Sequence, residues 1–261
     1  MRSNHVKRKL REGGVSIGMF LFEFATTGIA RITAEAGAEF AIFDMEHTGW
    51  STETIRMLIA TARSTEMIPL VRVPATEYHF IARALDMGAM GIMVPMVEDE
   101  EQARRIVQAA KYPPAGRRGA AFGVAHDDYT GGDLAEKIRN ANDEQLLVAQ
   151  IETARGVEHV EAIAAVEGLD VLWIGQADLT TSLGIPGQYT HPAFLEAVAR
   201  IAAAGRTHGK VLGYLALDIE EGKAMLSRGF RMLAYGGDLW LYQQAVRHGV
   251  ATLQAVARGM R

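Results

Sequence analysis

Residues 146–179 read LLVAQIETARGVEHVEAIAAVEGLDVLWIGQADL. Two short and almost wholly apolar runs, 146–151 and 171–175, bracket a stretch of helical period at 157–166. Apolar runs of this length suit strands buried on both faces, and a helix between them predicts a parallel strand–helix–strand unit. The first run closes on Gln150-Ile151-Glu152, and the second is followed by Gly175-Gln176-Ala177-Asp178. A carboxylate just past a buried strand either costs stability or holds something. Glu152 and Asp178 are therefore candidate ligands for a hard divalent cation, which would let the protein act on a small oxygen-rich acid.

The same unit recurs in both directions along the chain. Further strands are predicted at 16–21, 40–45, 69–73, 91–97, 211–215 and 231–235. Helices are predicted at 27–36, 52–64, 78–87, 99–110, 192–207, 219–227 and 239–256. Eight such units are what a (β/α)8 TIM barrel requires, although the pattern alone leaves a doubly wound sheet open. Gly88 and Gly168 each follow a predicted helix, where a left-handed residue is wanted. The one long irregular stretch, 111–142, is expected to be a functional loop or an oligomer contact.

Composition bounds the rest. A chain of 261 residues, 49% hydrophobic, can bury one large core, so 1–261 is expected to form a single domain. The net charge of −4, with no long basic run, argues against nucleic acid or an anionic membrane surface as the main partner. Cysteine is absent, which excludes disulfides, thiolate metal sites and a cysteine nucleophile. No run reaches the roughly 18 apolar residues that would cross a bilayer, and the basic start is not followed by a secretory apolar run. A soluble, cytoplasmic protein is expected.

In a barrel the reactive face is built at the carboxyl ends of the strands. There the sequence places Asp44-Met45-Glu46-His47, Arg72, Gln150-Ile151-Glu152 and Gln176-Ala177-Asp178. Each has a plainer reading. Glu152 or Asp178 could serve only the start of a helix or turn, His47 could be a packing or capping histidine, and Arg72 could sit in a buried ion pair.

The segments FDMEHTGWS (43–51), PLVRVP (69–74), LDMGAMGIMVPMVEDEEQA (85–103), YPPAGRRG (112–119), 150–184 and HPAFLEAV (191–198) resemble the HpcH/HpaI aldolases. These are class II pyruvate aldolases of the 2,4-dihydroxyhept-2-ene-1,7-dioate and 2-keto-3-deoxy sugar acid type. The resemblance implies a TIM barrel of the phosphoenolpyruvate/pyruvate type, its last helix exchanged between subunits, and a homohexamer built as a trimer of dimers. It implies Glu152 and Asp178 as ligands for Mg²⁺, Mn²⁺ or Co²⁺, with Gln150 beside them. It further implies His47 in proton transfer with Asp86 as its partner, and Arg72 on the keto oxygen of pyruvate. The pyruvate carboxylate would lie against the backbone of Ala177 and Asp178, with Gly175 allowing close approach. The sequence departs from the better-known pattern after residue 119, where His126-Asp127-Asp128 reads as a solvated turn in preference to a second metal site.

The chemistry expected is a divalent-metal-dependent aldehyde-lyase reaction. A 4-hydroxy-2-oxo acid is split reversibly into pyruvate, or an analogue such as hydroxypyruvate, and an aldehyde. Bond cleavage leaves an enolate, so a cation and a guanidinium facing its oxygen lower the barrier. The absence of a lysine from the strand ends weighs against a Schiff base. Alternatives on the same enolate are oxaloacetate decarboxylation, a macrophomate-synthase-like ligation, or cleavage of an acyl-CoA such as citramalyl-CoA. A keto-acid-binding barrel without activity is the non-enzyme alternative.

Overall fold

The computed structural model describes residues 2–260. The predicted apolar runs form eight parallel strands: β1 (Ser16–Leu21), β2 (Phe40–Asp44), β3 (Ile68–Arg72), β4 (Gly91–Val94), β5 (Leu146–Ile151), β6 (Val171–Ile174), β7 (Val211–Ala216) and β8 (Met232–Gly237). They pair in chain order, and β8 returns to pair with β1, so the sheet closes and has no edge. Closure removes the doubly wound alternative. Every residue of β2 to β6 is buried, as strands covered on both faces must be.

Alternate strand residues feed two cores. Phe40, Ile42, Leu70, Met93, Val148 and Trp173 fill the barrel interior, with Val6 and Leu10 of the amino-terminal helix α1 (His5–Arg11) packed among them. Phe43, Val71, Ile92, Ile151 and Ile174 face outward against the helices. Interior volume is tightly allotted: a β-carbon on Gly213 of β7 would lie 2.2 Å from the Trp173 ring. Glycine there is what lets the indole fill the barrel.

The outer layer is α2 (Ile29–Glu35), α3 (Thr52–Ala62), α4 (Tyr78–Asp86), α5 (Glu100–Ala110), α6 (Leu134–Glu144), α7 (Ala154–Glu158), α8 (Val160–Ala165), α9 (Gln176–Ser182), α10 (Pro192–Thr207), α11 (Ile219–Ser227) and α12 (Asp238–Gly259). Ser51, Asp99 and Asp218 start α3, α5 and α11 by accepting the N–H three residues on. Gly88 and Gly168 turn the chain at φ +104° and +91°, in the left-handed region foreseen for them. The helix predicted at 157–166 is divided, starting earlier as α7 and resuming as α8 after a break at His159.

The long connection 111–142 carries a 3₁₀ turn at Ala125–Asp127 and α6. Its His126-Asp127-Asp128 stretch is not a solvated turn as expected. Asp127 is fully buried and accepts from the Gly123 N–H at 2.8 Å and Lys137 Nζ at 2.6 Å, while His126 Nε2 meets the Ala121 carbonyl at 2.7 Å. Both side chains thereby help to hold the loop together.

Helix α12 is unlike the others. Its beginning packs on the barrel, against β1 and β8, and Tyr242 meets Phe24 with ring centroids 5.5 Å apart. From there it exposes apolar side chains on successive turns, Val246 at 45%, Val250 at 47% and Leu253 at 71%.

Candidate active site

The carboxyl ends of the strands surround a cavity of about 960 Å³ whose wall includes His47, Arg72, Gln150, Gly175, Ala177 and Asp178. Six of the residues singled out from the sequence thus meet on one surface. Glu152 lies just beneath that wall at 1% exposure.

The β2 end is organised by Asp44. Its carboxylate, fully buried, accepts the backbone N–H of His47 at 2.9 Å and of Glu46 at 3.2 Å, folding the turn that carries both side chains. The same Asp44 accepts from Arg72 Nε at 2.5 Å, its register partner on β3. Glu46 approaches Arg72 Nη1 at 3.2 Å and His47 Nε2 at 3.7 Å. On its other side the guanidinium lies over the rings of Phe20 and Phe22, at 5.1 and 5.8 Å. Two carboxylates and two rings therefore fix Arg72, whose head reaches the cavity. His47 remains largely exposed, with its ring free to reach a bound molecule.

Across the cavity, Glu152 follows β5. One oxygen accepts the Met96 N–H at 2.7 Å and the other accepts from Gln150 Nε2. Met96 presents that N–H from a left-handed conformation, φ 53°, which costs a non-glycine residue about 1–3 kcal/mol. Gly175 closes over the carboxylate, so that a β-carbon there would lie 2.1 Å from Glu152 Oε2. Asp178 sits in the first turn of α9, where the helix dipole favours negative charge.

Burial pushes the Glu152 carboxyl up to about 7, and Glu46 and Asp178 push in the same direction. Glu46 is likewise carried to about 7 by burial, against the pull of Arg72 and with the push of Asp44 and Asp178. Three carboxyl groups in mutual repulsion, two of them poorly solvated, form a site short of positive charge. Gln150 Oε1 nearby is buried without a hydrogen-bond donor, and Glu46 Oε2 has the ion-pair approach of Arg72 Nη1 but no hydrogen bond. The donor set fits a hard divalent cation: all oxygen, acidic and undercompensated. Among the described residues no group of three or more His, Asp or Glu side chains is arranged as a complete metal cage. Two carboxylates can hold an ion only with oxygens supplied by substrate and water.

Asp86 does not join this assembly. It is the last residue of α4, which runs back toward the amino ends of the strands, and its Oδ1 accepts from Arg118 at 2.5 Å. Arg118 is fully buried against Tyr112 and needs that counter-charge, so the expected pairing with His47 is corrected within this chain. The carboxylates near His47 are Asp44 and Glu46.

Asp238 was missed by the sequence reading. Its side chain, 4% exposed, accepts four backbone N–H groups: Phe22 at 2.9 Å, Glu23 at 3.0 Å, Phe24 at 2.8 Å and Leu239 at 2.9 Å. It ties the start of α12 to the loop after β1, and that loop brings Phe22 to the cavity. The signal was present in Gly236-Gly237-Asp238, an acid at the end of an apolar strand, but the predicted strand stopped at residue 235.

Comparison with known proteins agrees with this geometry. Residues 16–245 match the family model described as HpcH/HpaI aldolase/citrate lyase. The chain is 39% identical to 4-hydroxy-2-oxovalerate aldolase of Novosphingobium aromaticivorans, over 95% of this chain and 93% of that one. It is 34% identical to hydroxypyruvate/pyruvate aldolase of Paraburkholderia phytofirmans, over 97% and 98%. Among solved structures, an HpcH/HpaI aldolase from Desulfitobacterium hafniense superposes with a TM-score of 0.92 at 35% identity, covering 95% of this chain and 96% of that one. With a closed barrel and an acidic, arginine-bearing rim on its carboxyl face, this chain belongs to the HpcH/HpaI aldolase/citrate lyase family.

Proposed function

We propose that this protein is a divalent-metal-dependent aldolase that reversibly cleaves a 4-hydroxy-2-oxo acid into pyruvate, or a close analogue such as hydroxypyruvate, and an aldehyde. The observation that carries the reading is the buried, charge-deficient carboxylate Glu152, set across one cavity from a fixed guanidinium, Arg72. Aldolases among the relatives support the reaction class.

Glu152 and Asp178 would hold the cation, which could be Mg²⁺, Mn²⁺ or Co²⁺. Bound there, the ion supplies Lewis-acid stabilisation for negative charge on a 2-oxo acid and selects such acids by chelation. Arg72 offers its guanidinium to the keto oxygen, where charge grows as the carbon–carbon bond breaks. Because Asp44 and Glu46 already hold it in place, little reorganisation accompanies that step. His47, exposed at the mouth, takes the carbinol proton directly or through water, the acid–base role a histidine side chain commonly fills. Gln150 positions Glu152, and the first-turn amides around Ala177 and Asp178, lacking helical acceptors, would receive the substrate carboxylate. Loss of Arg72 or His47 is expected to cost on the order of 10²-fold or more.

The exposed apolar residues of α12 support exchange of this helix between subunits in a homo-oligomer, which we take to be a trimer of dimers. No helix among the described residues is long and apolar enough to cross a membrane.

The test is pyruvate release from a panel of 4-hydroxy-2-oxo acids, followed by coupling to lactate dehydrogenase, with chelator and with Mn²⁺. Activity that vanishes with chelator and returns with Mn²⁺ supports the proposal. Cleavage indifferent to chelation refutes it.

A further inference from the structure

Asp44 and Glu46 present two carboxylates to the single positive charge of Arg72. Asp44 serves fully as the counter-ion: it bonds Nε at 2.5 Å and accepts both N–H groups of the turn besides. Glu46 comes within 3.2 Å of Nη1, yet its Oε2 is buried and makes no hydrogen bond. An acceptor left in that state costs stability, and an arginine already paired does not account for it. The other group in reach that can carry positive charge is His47, whose Nε2 stands 3.7 Å from the same oxygen. The imidazole is 57% exposed and lines the cavity, whereas Glu46 is not part of that wall. A carboxylate that faces one nitrogen of an imidazole and leaves the other to the substrate is the arrangement in which a histidine moves a proton well.

We infer that Glu46 is the positioning residue for His47: it fixes which imidazole nitrogen faces the substrate and stabilises the imidazolium formed during cleavage. This rests on the aldolase reading and goes beyond it by assigning a carboxylate that acts without touching substrate. In cleavage the carbinol O–H gives its proton to His47 Nδ1, the O–H electron pair becomes part of the aldehyde carbonyl, and the pair of the broken carbon–carbon bond passes into the enolate. The imidazolium donates its Nε2–H to Glu46 Oε2, which requires the two atoms to approach by about 1 Å. The oxygen thereby gains the hydrogen bond it lacks, at the step where positive charge appears beside it. The proton then passes from Nδ1 to the enolate carbon, directly or through water, as pyruvate forms, so no further reactant is needed. Decarboxylation of oxaloacetate makes the same enolate with no carbinol proton to remove, and so does not call on this pair.

The experiment uses the full-length protein with Mn²⁺. Pyruvate release from the 4-hydroxy-2-oxo acid that the parent cleaves fastest is compared with decarboxylation of oxaloacetate above the enzyme-free rate. Glu46→Gln, His47→Gln and the double variant are measured alike, once circular dichroism has confirmed native secondary structure. Glu46→Gln is expected to lower kcat for cleavage about 10²-fold, roughly tenfold or more beyond its effect on decarboxylation, with KM changed less than about threefold. In the His47→Gln background the same substitution should cost less than about threefold, because a residue that acts through the imidazole has nothing left to act on. That second comparison needs cleavage alone. Equal losses in the two reactions would mean that Glu46 serves Arg72, and multiplicative losses in the double variant that it acts apart from His47. Either result, or a Glu46→Gln variant that cleaves within about threefold of the parent, overturns the inference, while chelator-sensitive cleavage by the parent keeps the aldolase reading intact. A parent without such cleavage removes the aldolase reading, and the role of Glu46 falls with it.

Discussion

Substitution of Gly175 by alanine tests the site at its tightest point. Gly175 has φ −92°, a conformation open to any residue, so the substitution adds no backbone strain and its effect is steric. The new β-carbon would lie 2.1 Å from Glu152 Oε2, 2.8 Å from Glu152 Cβ and 2.9 Å from Gln150 Nε2, whereas ordinary contact begins at 3.4 Å. Relief therefore requires the carboxylate to retreat by about 1.3 Å. A rotation of the far end of Glu152 is insufficient, because its Cβ is crowded too and its other oxygen is bonded to the Met96 amide. Overpacking of this kind costs about 1–3 kcal/mol. In a domain of this size each kcal/mol lowers Tm by roughly 2–4 °C. A displacement on the order of 1 Å at a catalytic group costs on the order of 10²-fold in rate. The purified variant, checked for native secondary structure by circular dichroism, is expected to need far more Mn²⁺ for half-maximal pyruvate release and to lose about 10²-fold in kcat/KM. Activity within threefold of the parent at the same Mn²⁺ requirement refutes the placement of Glu152 beneath Gly175.

Two further substitutions probe charge and anchoring. Because burial carries Glu152 from 4.5 to about 7, the folded protein retains a proton that the unfolded chain has released. Stability in chelator is thus lost as pH rises between those values, by about 3 kcal/mol, and Glu152→Gln should raise Tm in chelator at pH 8 but not at pH 4.5 while abolishing turnover. An unchanged Tm at pH 8 contradicts that account. Asp238→Ala leaves four backbone N–H groups without their acceptor and is expected to lower the unfolding free energy by about 3–5 kcal/mol in a urea titration. A loss under 1 kcal/mol means the loop after β1 is held by other contacts.

Most of the barrel was legible because its physics is local and repetitive. Fully buried parallel strands must be apolar throughout, and the helices between them must be amphipathic, so 146–151 and 171–174 could be read with no partner in view. Strand ends were also legible, since a charge that terminates such a run is conspicuous, and this brought His47, Arg72, Gln150 and Asp178 to one wall. What failed required knowledge of where helices end in space. Asp86 follows an apolar helix face as plausibly as a rim residue would, yet α4 delivers it to the buried Arg118. The burial of Asp127 is matched by Lys137, ten residues beyond it and across a turn with no periodic signal. Asp238 was hidden by a strand boundary drawn two residues short.

The two carboxylates read from the sequence as equivalent are not equivalent in the structure, and the difference bears on how the site works. Glu152 is immobile: buried, bonded through both oxygens, and roofed by Gly175. Asp178 is exposed on the first turn of a short helix, with solvent to screen it. The immobile group bears the desolvation penalty, and a fixed charge that water cannot reorganise around is the one that attracts a cation most strongly. The solvated group can adjust as substrate enters and product leaves without breaking any internal hydrogen bond. Were an ion held by one rigid and one compliant ligand, it would keep a defined position relative to Arg72 while substrate and water exchanged around it, as reversible binding of a chelating acid would require.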